Sequence, residues 1–135
     1  MKIHFPATMG EAEQFISRVN DLYRFEASQG HLGWDQETIM PAKGAEARGE
    51  TLAWRAGQRH SRLIDDELGD LISKLENQDL EDYLAANVRE MRRKYDEAVK
   101  LPTEFVSEFT KARSEALIAW QKARKESDFS IFAEH

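Results

Sequence analysis

The chain has 135 residues, a formal net charge of −6 and no cysteine. That length allows one domain with a real core, and the missing thiols exclude disulfides and thiolate metal sites. Charged residues make up 33% and hydrophobic ones 41%, which suits a soluble helical protein and leaves no run near the roughly 18 apolar residues needed to span a bilayer.

The opening residues 1–6 contain no signal-peptide core, so a reducing, cytoplasmic setting is expected. Thr8-Met9-Gly10-Glu11 has the form of a capping box, in which Thr8 and Glu11 satisfy each other's backbone N–H groups. The helix it opens carries Phe15, Val19, Leu22 and Tyr23 on one stripe with Ile16 at its edge. Gly30 and Gly33 either break this helix or admit a close neighbour. Leu32 and Trp34 resume the apolar pattern, which predicts a continuous or kinked helix reaching about Glu37. Met40-Pro41 ends it, because the residue before proline avoids the α region.

A second helix is predicted from Gly44 to about Ile64, with Ala45, Gly49, Leu52, Ala56, His60 and Leu63 on its inner stripe. Trp54 falls on its polar side and asks for a further neighbour. Asp65 or Asp66 can cap a short third helix whose Leu68, Leu71, Ile72 and Leu75 point inward. A fourth helix from Leu80 shows Leu84, Val88, Met91, Tyr95 and Val99 at three- and four-residue steps. Leu101-Pro102-Thr103 stops it. A fifth repeats the pattern with Phe105, Phe109, Ala112, Ala116, Leu117, Trp120 and Ala123, and the last two should form a long antiparallel hairpin. Ser127-Asp128 resembles another N-cap, leading into Phe129, Ile131 and Phe132. The chain ends soon after that apolar start, as a cut sequence would. No repeat, linker or strand-like alternation is present. The expected fold is all-α: about five amphipathic helices in a single helical domain over 1–135.

Acidic residues outnumber basic ones up to residue 88, and the balance reverses over 89–126. Arg89, Arg92, Arg93 and Lys94 are interleaved with Glu90, Asp96 and Glu97, so a solvated face beside an acidic neighbour is favoured over a nucleic-acid site.

Candidate chemistry is sparse. His31 and Asp35 share a helical face and could begin a metal site, but the spacing supplies no third ligand, and a hydrogen-bonded pair also accounts for them. His60 lies on an inner stripe and reads as a satisfied core histidine. No His-Glu-x-x-His, nucleotide-binding glycine loop or nucleophile elbow occurs. Glu46 and Glu50 at a helix start complement its dipole more simply than they make an acid–base pair. The individual stretch is Trp34-Asp35-Gln36-Glu37-Thr38-Ile39-Met40-Pro41, followed by Ala42-Lys43-Gly44-Ala45-Glu46-Ala47-Arg48. Here Trp34 can bury a large area, and Asp35, Gln36 and Thr38 can satisfy backbone groups at the corner. Arg48 can reach Asp35 or Glu37 as a bidentate partner.

This stretch resembles the N-terminal signature of the carboxypeptidase Taq (thermostable carboxypeptidase 1) family. Similar matches run through His60-x-x-Leu63, Asp66-Glu67-Leu68-Gly69-Asp70-Leu71, Arg89-Glu90-x-Arg92-Arg93-x-Tyr95-Asp96, Leu101-Pro102-x-Glu104-Phe105-Val106, Ala119-Trp120-x-x-Ala123-Arg124 and Asp128-Phe129-x-x-Phe132. The resemblance implies a longer, helical, often homodimeric metallocarboxypeptidase that releases C-terminal residues from peptides. Such enzymes use zinc or another divalent metal held by a motif absent from this chain. By this resemblance the chain is an N-terminal fragment, inactive alone, with no catalytic or metal-binding residue of its own. Trp34, Asp35, Gln36, Thr38, Met40, Pro41, Gly44 and Arg48 are then a structural signature with a possible groove-lining role. Self-association or the missing catalytic region is the expected partner, with no nucleic acid and no membrane. The alternative is a free-standing helical interaction module using Trp54 and the Phe129 to Phe132 end.

Overall fold

The computed structural model describes residues 9–135; the capping residue proposed at Thr8 lies outside them. Five α-helices follow in order: α1 (Glu11–Thr38), α2 (Ala45–Leu63), α3 (Asp66–Leu75), α4 (Asp82–Ala98) and α5 (Thr103–Glu126). Single 3₁₀ turns occupy Ala42–Gly44 and Phe129–Ile131. No strand occurs among the described residues. The fold is all-α.

α1 is continuous through Gly30 and Gly33. A Cβ at either would meet nothing within 4 Å, so these glycines neither break the helix nor serve a close approach. By its contacts the chain divides into two compact units. One comprises the described residues through Phe25 with Arg59–Leu101; the other comprises Glu26–Gln58 with Pro102–His135.

The first unit has an aliphatic core. Phe15, Val19 and Leu22 of α1, Leu63 of α2, Leu68, Ile72 and Leu75 of α3, and Val88 and Met91 of α4 form one buried cluster. Tyr23 and Ile16 remain about half exposed, because the stripe that faces α3 and α4 is narrower than the apolar pattern. Tyr23 instead lies 5.7 Å from the Lys94 ammonium. Arg18, one turn beyond Phe15, is buried beside the core and pairs with Asp65 and Glu67. Asp65 also caps α3 by accepting from the Glu67 N–H at 2.9 Å. α3 and α4 approach closely at Gly69, where a Cβ would lie 2.7 Å from the Tyr95 hydroxyl. His60 is a satisfied core histidine, its Nε2 3.0 Å from the Ala98 carbonyl oxygen.

The basic stretch of α4 is neutralised locally. Arg92 donates to both Glu76 oxygens at 3.1 Å, which together with Asp96 pushes its pKa up. Arg93 bridges Glu90 and Glu97, and the hydrogen bond from Arg93 holds the Glu90 carboxyl below its ordinary value. The Arg93 pairs lie along one solvated helix face, whereas Arg92 reaches from α4 to Glu76, the C-cap residue of α3.

The second unit is built from small residues. Gly49 of α2 faces Ser114 of α5, with 3.4 Å between a Cβ at Gly49 and the serine Oγ; at Gly57 a Cβ would come within 2.4 Å of Ser107 Oγ. Leu52, Ala53, Ala56, Ser114 and Ala123 are buried. The apolar pattern of α5 misleads here. Phe105, Phe109 and Trp120 stay about half exposed while Ser114 is buried, because a seam opened by glycines on α2 accepts serines and not aromatic rings. The turn at Leu101-Pro102 is the boundary between the units: α4 closes on α3 and α5 belongs with the second unit. Past α5, Ser127 adopts a left-handed conformation (φ 53°), and Asp128 caps the final turn by accepting from the Ser130 N–H at 2.9 Å.

Candidate functional site

The corner at 34–48 lies wholly in the second unit. α1 closes with both Ile39 N–H (3.1 Å) and Met40 N–H (2.9 Å) donating to the Asp35 carbonyl, so one carbonyl takes the last two donors before Pro41. Pro41 is extended (φ −62°, ψ 144°), and its carbonyl accepts from the Gly44 N–H at 2.8 Å. That bond tightens the turn from which α2 starts. Gly44 leaves room for the Met40 side chain, which a Cβ would touch at 3.4 Å.

Arg48 is the clasp. Its guanidinium donates to Asp35 Oδ2 at 2.5 Å and to the Leu32 carbonyl at 2.6 Å. Of the two carboxylates in reach it takes Asp35, and the fork is split between a side chain and a backbone oxygen; it is not bidentate on one carboxylate. This settles a backbone carbonyl and a half-buried charge together, a stronger contact than a neutral hydrogen bond. Gln36 does not serve the corner's backbone as expected; its amide donates to Ser114 Oγ at 3.0 Å and ties α1 to α5. Thr38 does, donating to the Trp34 carbonyl at 2.7 Å. Trp34 is 64% exposed, contrary to the burial expected of it. It lies about 200° round α1 from Leu32 and about 200° from Gln36, away from the helices those residues meet.

His31 and Asp35 are not brought together as ligands. The His31 ring nitrogen Nδ1 lies 2.8 Å from the Ala27 carbonyl, and Asp35 is held by Arg48. Among the described residues no group of three His, Cys, Asp or Glu side chains could hold a metal ion. Glu46 and Glu50 are both exposed at the start of α2.

Around the clasp lies an open depression of about 390 Å³ lined by Asp35, Ile39, Met40, Pro41, Gly44, Ala47, Arg48 and Thr51. Five of these, Asp35, Met40, Pro41, Gly44 and Arg48, are signature residues. Ile39 and Ala47 belong to the 34–48 stretch but carry no role in the sequence reading, and Thr51 lies beyond it; the turn closes all three into the rim. The depression has an apolar wall and one ion pair, a surface suited to an apolar side chain beside a polar or charged group. Its Thr51 hydroxyl donates to the Ala47 carbonyl at 2.8 Å, and its Asp35 carboxylate is held by Arg48.

The model of the carboxypeptidase Taq (M32) metallopeptidase family matches residues 14–135. The chain belongs to that family. Thermostable carboxypeptidase 1 of Thermus thermophilus is 39% identical over 111 residues, 78% of this chain and 22% of the relative. Thermostable carboxypeptidase 1 of Pyrococcus furiosus is 29% identical over 121 residues, 89% of this chain and 24% of that protein. Among solved structures, the BsuCP crystal structure superposes with a TM-score of 0.87 at 25% identity, over 90% of this chain and 25% of that one. The chain thus spans about a quarter of the length of the M32 relatives it matches. No helix among its described residues is long and apolar enough to cross a membrane.

Proposed function

We propose that this chain is the N-terminal portion of a cytoplasmic, homodimeric M32 metallocarboxypeptidase, which releases C-terminal residues from peptides. In this reading the 135 residues act as one helical domain, a wall or lid over the substrate groove. Trp34, Asp35, Gln36, Thr38, Met40, Pro41, Gly44 and Arg48 shape that wall. The observation carrying it is the depression at the signature corner: five signature residues line one open, partly apolar surface, in a chain matched to the family over residues 14–135. The same match favours it over a free-standing interaction module.

The zinc or other divalent ion that a metallopeptidase implies has no donor set among the described residues, so metal and catalysis are assigned to the rest of the family polypeptide. That polypeptide is the proposed partner, and bare apolar side chains such as Trp54, 61% exposed, drive weak self-association in isolation. Nucleic acid is not proposed as a partner; Arg92, Arg93 and Lys94 pair with acidic neighbours. The test is to incubate the pure chain with zinc or cobalt and a blocked dipeptide. No release of the C-terminal residue is expected. Release that scales with protein concentration overturns the assignment.

A further inference from the structure

α5 is inside out with respect to its composition. On a helix of 100° per residue, Phe105, Phe109, Ala112, Ala116 and Trp120 fall within a sector of about 80°, over about 22 Å of axis; Ala123, in the same sector one turn on, is buried, so the open face ends at Trp120. Phe105, Phe109 and Trp120 are 48%, 54% and 47% exposed, while Ser114, on the opposite side, is 6% exposed. Phe105 and Phe109 stack with ring centroids 5.9 Å apart. Arg113 lies 6.0 Å from the Phe109 centroid and Arg124 5.7 Å from that of Trp120, which covers part of each ring and leaves the ridge open. Water disfavours such a sector, and a surface helix ordinarily turns its polar side outward.

We propose that this outward face of α5 is a docking surface for the polypeptide that the longer family chains carry outside the matched segment. The proposal rests on the reading above, that the chain is one portion of such a protein. Two observations choose the occupant. About three quarters of the relatives' length lies outside the match, so a large covalent neighbour exists in the family. The three half-exposed aromatic rings offer together only about 300 Å², well short of the ~800 Å² per partner of a stable association. A face this small holds a neighbour joined through the chain, whose effective concentration is high, better than a free second copy.

The test uses this chain and a chimera in which it replaces the matched segment of Thermus thermophilus thermostable carboxypeptidase 1. Each is made unmutated and with Phe105→Ser plus Phe109→Ser, since serine and phenylalanine have similar helix propensity. The isolated chain should melt within about 2 °C of its variant, whereas the variant chimera should melt lower by ~5 °C or more. Trypsin should also cut the variant chimera sooner within α5. Equal melting of the two chimeras overturns the docking, and so does an unmutated chimera that does not unfold as one cooperative unit. If the only change is the loss of concentration-dependent sedimentation of the isolated chain, the occupant is a second copy and the proposal is wrong. A folded, zinc-loaded chimera that releases no C-terminal residue refutes the proposed function instead, while the melting comparison still reads the docking.

Discussion

The two units of this chain solve the same packing problem with different residues. The first buries Phe15, Leu68, Ile72, Leu75 and Val88 to 2% exposure or less, as a self-sufficient core does. The second is drawn together by glycine–serine approaches and by Gln36 to Ser114, Arg48 to Asp35 and Arg55 to Ser28. All three tryptophans, with Phe105, Phe109 and Phe129, stand exposed there. Burial of apolar area is non-directional and stabilises in proportion to area. Small-residue seams and charge-assisted bonds stabilise less but hold geometry, while the large rings remain outside. The unit that spends its aromatics on surface is the one that carries the signature corner.

This contrast can be broken in stages. The largest effect belongs to the first unit: Ile72→Ala should cost about 2–5 kcal/mol in a denaturant titration, because the side chain is fully enclosed. Phe109→Ala, in the second unit, should change the isolated chain by less than about 0.5 kcal/mol despite deleting a larger side chain. Equal losses at the two sites would erase the distinction. Next comes Gly57→Val, which must displace Ser107 and should cost about 1–3 kcal/mol through overpacking of the seam. Arg48→Ala removes two charge-assisted bonds and should cost ~1–2 kcal/mol, with Arg48→Lys recovering only part because lysine has no planar fork. Gly30→Ala runs the other way, stabilising by ~0.5–1 kcal/mol, since the position is mid-helix and open.

The smallest effect is a pH dependence at the chain's end. Hydrogen bonds from the Ser130 hydroxyl and N–H hold the Asp128 carboxyl below its ordinary value of 3.8. A lowered folded-state pKa means that the cap contributes fully above 3.8 and is lost as pH falls through the lowered value. Amide exchange at Ser130 should therefore lose protection on acidification, and Asp128→Asn should abolish that dependence.

The helices were legible because their causes are local. Pro41 and Pro102 end segments whatever surrounds them, Asp65 and Asp128 cap from within two residues, and the three- and four-residue spacing of Leu68, Leu71, Ile72 and Leu75 has one buried solution. The corner's membership was legible as well: Asp35 and Arg48 lie near enough along the chain to be proposed as partners, and Arg48 to Asp35 formed. What sequence could not supply was which face of an ambiguous helix turns inward. On α5 the apolar pattern points Phe105, Phe109 and Trp120 inward, but the outcome rests on Gly49 and Gly57, which are more than forty residues away and accept only small partners. Gln36 finds Ser114 across 78 positions, a contact that no local spacing encodes, and Arg18 meets Glu67 across 49. Sequence alone therefore determined where helices start and stop and which family they belong to. Only the tertiary structure decided that the serine side of α5 is buried and its aromatic side exposed, because complementarity of shape is a property of two surfaces and neither helix contains both.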